Sequence, residues 1–113
     1  MSGQIHRITM FKLPSPEGQE KLIEAYNELI KQSKKEDGKP YILSMTTGKV
    51  MEDPRSQSWT VVNKAEFASM DDMRYYDEQC KAQAELKAKA KTFGISGGPQ
   101  GIMTVYFQDD AML

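Results

Sequence analysis

Ile5-His6-Arg7-Ile8-Thr9-Met10-Phe11-Lys12-Leu13 is the stretch that decides the fold. It is rich in β-branched and aromatic residues and stops at Pro14-Ser15-Pro16, which makes it a strand. Side chains alternate along a strand, so Arg7, Thr9, Phe11 and Leu13 point one way while His6, Ile8, Met10 and Lys12 point the other. Apolar groups fall on both sides. A strand packed on one face alternates cleanly between apolar and polar, so this one is expected to be covered twice.

Downstream of this strand, Ser15 is placed to cap a helix, with Pro16 at its first position and Glu17 and Glu20 near its positive end. Leu22, Ile23, Tyr26, Leu29 and Ile30 recur at helical spacing, so the helix is amphipathic. It is expected to end near Lys34-Lys35, before the turn Glu36-Asp37-Gly38-Lys39-Pro40. Tyr41 to Thr47 reads as a second strand, Gly48 to Gln57 as a polar surface loop, and Trp59 to Phe67 as a third strand. Ser69 followed by Asp72 resembles a capping box, and no Pro or Gly interrupts the Ala-, Lys-, Glu- and Gln-rich stretch from there to Phe93. A helix is expected up to Gly94. Its apolar stripes do not line up, however: Met73, Tyr76 and Cys80 form one, and Tyr75, Ala82, Leu86, Ala90 and Phe93 another, rotated by roughly 100°. A kink or break near Asp77 to Gln79 reconciles them. The Lys81 to Lys91 run reads as a solvated helix face. Ser96 to Gly101 is a connector, Ile102 to Phe107 the last strand, and 108–113 a short tail to a domain spanning 4–107.

The order β-α-β-β-α-β predicts an α+β, ferredoxin-like fold, a four-stranded antiparallel sheet with both helices on one face. The other face then carries Ile8, Met10, Met103, Val105 and Phe107. A soluble monomer seldom exposes such a set, so a homodimer joined sheet against sheet is expected.

Composition narrows the functional classes. The chain has 113 residues, 15 Lys plus Arg against 16 Asp plus Glu, one Cys and one His. A net charge of -1 lacks the basic footprint of a nucleic-acid binder. A single Cys forms no intrachain disulfide, which suits a reducing compartment. The first residues lack the apolar core of a signal peptide and no window reaches the length of a membrane span, so a cytoplasmic protein with no membrane partner is expected. No glycine pattern has the strand–helix context of a phosphate loop. His6 stands without Cys or carboxylates at ligand spacing, so no metal is expected, and no cofactor.

The first strand also resembles the opening strand of the stress-responsive dimeric α/β-barrel (Dabb) domain family. Phe67-Ala68-Ser69-Met70-Asp71-Asp72-Met73-Arg74-Tyr75-Tyr76 resembles that family's strand-to-helix joint and Gly101 to Phe107 its closing strand; the likeness spans roughly residues 4 to 107 and is nearest to single-domain fungal members. It implies ferredoxin-like protomers pairing into a barrel, with a cavity between sheet and helices in some members. Members include a plant cyclase that closes a polyketide ring without a cofactor and a heat-stable plant protein that forms a ring-shaped oligomer. Carried over from the cyclase, its catalytic Tyr falls at Tyr75, its pocket Tyr at Tyr26, and its catalytic His at Lys81, because the His-Pro-x-His segment is matched by Glu78-Gln79-Cys80-Lys81. The family's first-strand His is matched by Arg7. The departure matters, since a neutral imidazole takes a proton near pH 7 whereas a lysine does so only when strongly desolvated.

The candidate catalytic residues are therefore Tyr75 and Lys81, the phenol as a donor to an enolate or carbonyl oxygen. The candidate ligand-binding residues are Arg7, Thr9, Phe11, Tyr26, Ile102 and Thr104. Three of them have a structural alternative: Tyr75 and Tyr26 as packed core tyrosines, Arg7 as partner of a carboxylate. Two functions stay open, a protein with a sheet–helix pocket for a small apolar or aromatic molecule and cofactor-independent cyclase, lyase or isomerase chemistry, or a nonenzymatic, stress-associated stable oligomer.

Overall fold

A computed structural model describes residues 4–32 and 38–113. Strand β1 (Ile5–Phe11) leads into helix α1 (Pro16–Gln32), followed by β2 (Ile42–Lys49), β3 (Val61–Phe67), helices α2 (Met70–Glu78) and α3 (Lys81–Ala90), and β4 (Ile102–Phe107). The four strands form one antiparallel sheet in the order β2-β3-β1-β4, the ferredoxin-like arrangement expected from the element order. β1 is central, and Thr9 sits opposite Asn63 on one side and Thr104 on the other.

The alternation read from β1 holds. Ile5, Arg7, Thr9 and Phe11 are buried against the helices together with Val61, Asn63, Ala65 and Phe67 of β3. The core continues through Leu22, Tyr26 and Leu29 of α1, Met73 and Tyr76 of α2, and Leu86 and Ala90 of α3. The opposite sheet face is open: Met103, Val105 and Phe107 of β4 are each more than two-fifths exposed and lie in register with Met10, Ile8 and His6.

The expected break in the long helix is present. α2 ends at Glu78, with the N–H groups of Gln79 and Cys80 both donating to the Tyr75 carbonyl, and α3 begins at Lys81. α2 thereby buries Met73 and Tyr76 while α3 buries Gln83, Leu86 and Ala90, so the two stripes face the same core. Ser69 caps α2, its hydroxyl accepting from the Asp72 N–H at 3.2 Å, and Ser15 Oγ accepts from the Gly18 N–H at the start of α1.

Several boundaries differ from the sequence reading. α3 stops at Ala90 instead of continuing to Phe93, because Thr92 and Phe93 close a tighter turn on Lys89 and Ala90 before Gly94 turns the chain at φ 93°. β2 runs on through Gly48 and Lys49. β3 starts two residues after Trp59, whose ring instead lies under the Lys12 ammonium, 4.7 Å from its centroid. The polar loop contains a 3₁₀ turn at Pro54–Ser56, capped by Asp53. The helix end expected at Lys34-Lys35 lies outside the described residues. No described helix is long and apolar enough to cross a membrane.

Candidate functional site

Between the β1–β4 half of the sheet and helices α1 and α3 lies a cavity of about 250 Å³. Its floor is Arg7, Thr9 and Phe11 of β1 with Ile102 and Thr104 of β4. Its walls are Tyr26 of α1 and Gln83, Leu86 and Ala90 of α3, and Lys87 and Lys91 lie at the rim. Pockets for drug-sized ligands run to roughly 300–1,000 Å³, so this one has room for a compact molecule.

The floor is a hydrogen-bonded chain. Arg7 is buried, and its Nη1 donates to Thr9 Oγ1 at 2.7 Å. Its Nη2 lies 2.8 Å from Asp77 Oδ1, near the end of α2, close enough for an ion pair though not aligned as a hydrogen bond. The guanidinium carbon sits 5.1 Å from the centroid of the Tyr76 ring. Thr9 Oγ1 is 3.1 Å from Thr104 Oγ1. Thr9 is buried and already accepts from Arg7, and a buried hydroxyl proton without an acceptor is costly, so Thr9 donates to Thr104. Thr104, exposed and lining the cavity, stands at the end of a chain that starts on a positive charge.

The walls are aromatic and aliphatic. The Phe11 and Tyr26 rings meet edge to face, centroids 6.1 Å apart. Burial pushes the Tyr26 phenol well above the ordinary tyrosine range, only partly offset by the Arg7 charge, so it stays a neutral hydroxyl and no base. Gln83 is 3% exposed, and its Oε1 has no hydrogen-bond partner among the described residues.

The residues predicted to bind a ligand, Arg7, Thr9, Phe11, Tyr26, Ile102 and Thr104, all line this one cavity. Tyr75 and Lys81, predicted as catalytic, do not. α2 packs through Met73 and Tyr76, and one helical step of about 100° turns Tyr75 to the Tyr41 ring, 5.0 Å away edge to face. Lys81 opens α3 and is exposed. His6 lies on the other sheet face, stacked on Phe107 at 5.0 Å with Nε2 2.9 Å from Asp109 Oδ1. Gln83 was missed because the Lys81 to Lys91 run reads as solvated. The signal was its spacing: Gln83, Leu86, Lys87 and Ala90 fall at i, i+3, i+4 and i+7, one helix face. Among the described residues no three His, Cys, Asp or Glu side chains gather as a metal ligand set.

Known proteins share this architecture. A dimeric ferredoxin-like protein of unknown function from Jannaschia sp. CCS1 superposes with a TM-score of 0.76 at 13% identity, over 93% of this chain and 98% of that one. A hydroxynitrile lyase from Passiflora edulis does so at 0.73 and 12% identity, over 98% and 97%. At these identities the likeness is one of fold. Sequence carries the relationship further: a fusaristatin A biosynthesis cluster protein of Gibberella zeae is 40% identical over 111 residues, covering 98% of this chain and 77% of that protein. The profile of the stress responsive A/B barrel domain matches residues 5–93, from the first residue of β1 to the turn that ends α3. With β1 to β3, both sides of the helix break and the inner-face pattern of β1 and β3 inside the matched span, and a 40% identical relative covering 98% of the chain, the chain belongs to the stress responsive A/B barrel (Dabb) domain family.

Proposed function

We propose that the chain works as a cytoplasmic homodimer, paired sheet against sheet, whose sheet–helix cavity binds a compact and mainly apolar or aromatic molecule. The carrying observation is the convergence of Arg7, Thr9, Phe11, Tyr26, Ile102 and Thr104 on one cavity that is apolar along its walls and hydrogen-bonded along its floor. Dimerisation is supported by the open face of Ile8, Met10, Met103, Val105 and Phe107 and by the fold shared with the dimeric Jannaschia protein. A second copy is the occupant that covers the same patch on both partners at once.

Cofactor-independent lyase, cyclase or isomerase chemistry is the enzymatic form of this reading. It is supported by the fold shared with a hydroxynitrile lyase and by Thr104 as a donor to a developing oxyanion. Within this form Tyr75 and Lys81 act only if a substrate extends beyond the cavity towards the α2–α3 break. A nonenzymatic binding protein is the second reading, favoured by one observation. No imidazole lines the cavity, and its buried phenol is shifted away from proton acceptance.

The test is to extract the purified protein under denaturing conditions and search the extract by mass spectrometry, for the wild type and for Ala90→Trp, which fills the cavity. A small molecule released by the wild type and absent from a folded Ala90→Trp supports the binding role. The same molecule in equal yield from both places binding elsewhere.

A further inference from the structure

Resting on the reading of the cavity as a ligand site, we infer that Gln83 selects the ligand, and that the ligand is a neutral molecule with a hydroxyl group, accepted by Gln83 Oε1. The site holds two buried polar atoms without hydrogen-bond partners among the described residues. Gln83 lines the cavity at 3% exposure, and its Oε1 is an acceptor that no described residue answers. Arg7 lines the same cavity at 5% exposure; Nη1 is used by Thr9 and Nη2 by Asp77, while its Nε–H has no acceptor among the described residues. An unanswered buried polar group is costly, and native interiors hold few of them.

The pair of orphans is informative because their signs differ. A carboxylate would answer the Arg7 donor and present only another acceptor to Gln83 Oε1. An ammonium would answer Gln83 and repel the guanidinium. A hydroxyl donates and accepts, so a neutral hydroxyl compound meets both needs with one kind of group. Asp77 already pairs with Arg7 at 2.8 Å, so the floor itself calls for no further anion, and the two cations Lys87 and Lys91 stand at the rim. Around these groups Phe11, Tyr26, Leu86, Ala90 and Ile102 supply apolar contact, so the rest of the ligand is hydrocarbon, flat enough to lie between sheet and helix. A site built to hydrogen-bond a hydroxyl rejects the analogue that lacks it more strongly than an apolar pocket rejects a missing methylene.

The probes are β-naphthol, its methyl ether, naphthalene and naphthoate, titrated calorimetrically into the wild-type protein and into Gln83→Met, which keeps the volume and removes the acceptor. The expected result is β-naphthol binding roughly tenfold more tightly than the ether and naphthalene, with that preference lost in Gln83→Met. Because the wild-type comparison stands alone, the outcome does not depend on the variant folding. Naphthalene and β-naphthol binding alike, or naphthoate binding most tightly, would overturn the role of Gln83 while leaving the cavity a ligand site. Failure of every probe to bind would overturn both.

Discussion

Asp77→Ala is expected to destabilise the protein more than Arg7→Met, although both break the same ion pair. The reason is unequal burial: the Arg7 side chain is 6% exposed and that of Asp77 31%. Two charge centres about 4 Å apart interact by roughly 4 kcal/mol at an effective dielectric constant near 20, and the partial hydration of Asp77 reduces this to about 2–3 kcal/mol. Removing Asp77 leaves a guanidinium stranded among Thr9, Tyr76 and the sheet, so the variant loses most of that amount. Removing Arg7 leaves a carboxylate that can turn to water. It forfeits the Thr9 hydrogen bond and the Tyr76 contact, but a desolvated charge disappears as well, and the net cost falls to about 1 kcal/mol. In the Arg7→Met background Asp77→Ala then costs less than about 0.5 kcal/mol, because no buried charge remains to be stranded. Urea unfolding of all four proteins at one protomer concentration measures this, since an oligomer's apparent stability depends on concentration. Equal costs for Asp77→Ala in the two backgrounds would refute the reasoning.

Other expectations follow from the same geometry. Val105→Lys puts a charge in the middle of the open apolar face, and light scattering at micromolar concentration should register a protomer mass where the wild type registers a dimer. Gly18→Ala forces a Cβ against the Phe93 carbonyl, where α1 meets the turn after α3, and should cost about 1–3 kcal/mol by overpacking, read as a lower urea midpoint. Ser69→Ala removes the acceptor for the Asp72 N–H and should lower stability by about 1 kcal/mol in the same assay. Tyr26 and Tyr76 are held in the neutral form by burial, their phenols raised far above the unfolded value of about 10. Their contribution is fully present below that pH and is lost as the pH rises beyond it, so tyrosinate absorbance should grow in step with alkaline unfolding. Ionisation of both phenols before unfolding would count against it.

Most of the fold could be read from the sequence because its signals are local. Arg7, Thr9 and Phe11 share a face through the two-residue period of a strand, and Ser15 and Ser69 announce helix starts by their side-chain oxygens. The disagreement of the Tyr76 and Leu86 stripes located the helix break, since a continuous helix cannot present both to one core. The site was legible on its sheet side for the same reason. On the side of α2 and α3 it was not. Tyr75 and Tyr76 are neighbours in sequence, and which of them enters the core depends on how α2 packs, a tertiary matter that periodicity leaves open. Gln83 sat in a run of Lys, Ala and Glu whose composition argued for water, and composition outweighed its spacing.

The inner face of the sheet holds a further clue to why this core is shaped as it is. Thr47, Asn63, Thr9 and Thr104 lie opposite one another in sequence of pairing, a polar row crossing all four strands on the side that faces the helices. Asn63 is fully buried, donates to Thr47 Oγ1 at 2.8 Å and leaves its Oδ1 without a partner among the described residues. Valine or isoleucine in such a row would bury more apolar surface and strand no polar atom, so stability alone does not account for it. Local rules of folding are most often broken where a protein does its work. The row ends at Thr104, on the cavity floor, beside the buried Arg7 and across from Gln83. The protein thereby gives up part of a small hydrophobic core to hold hydrogen-bonding groups between sheet and helices, and at the cavity end of the row Arg7 is anchored by Asp77 and donates to Thr9.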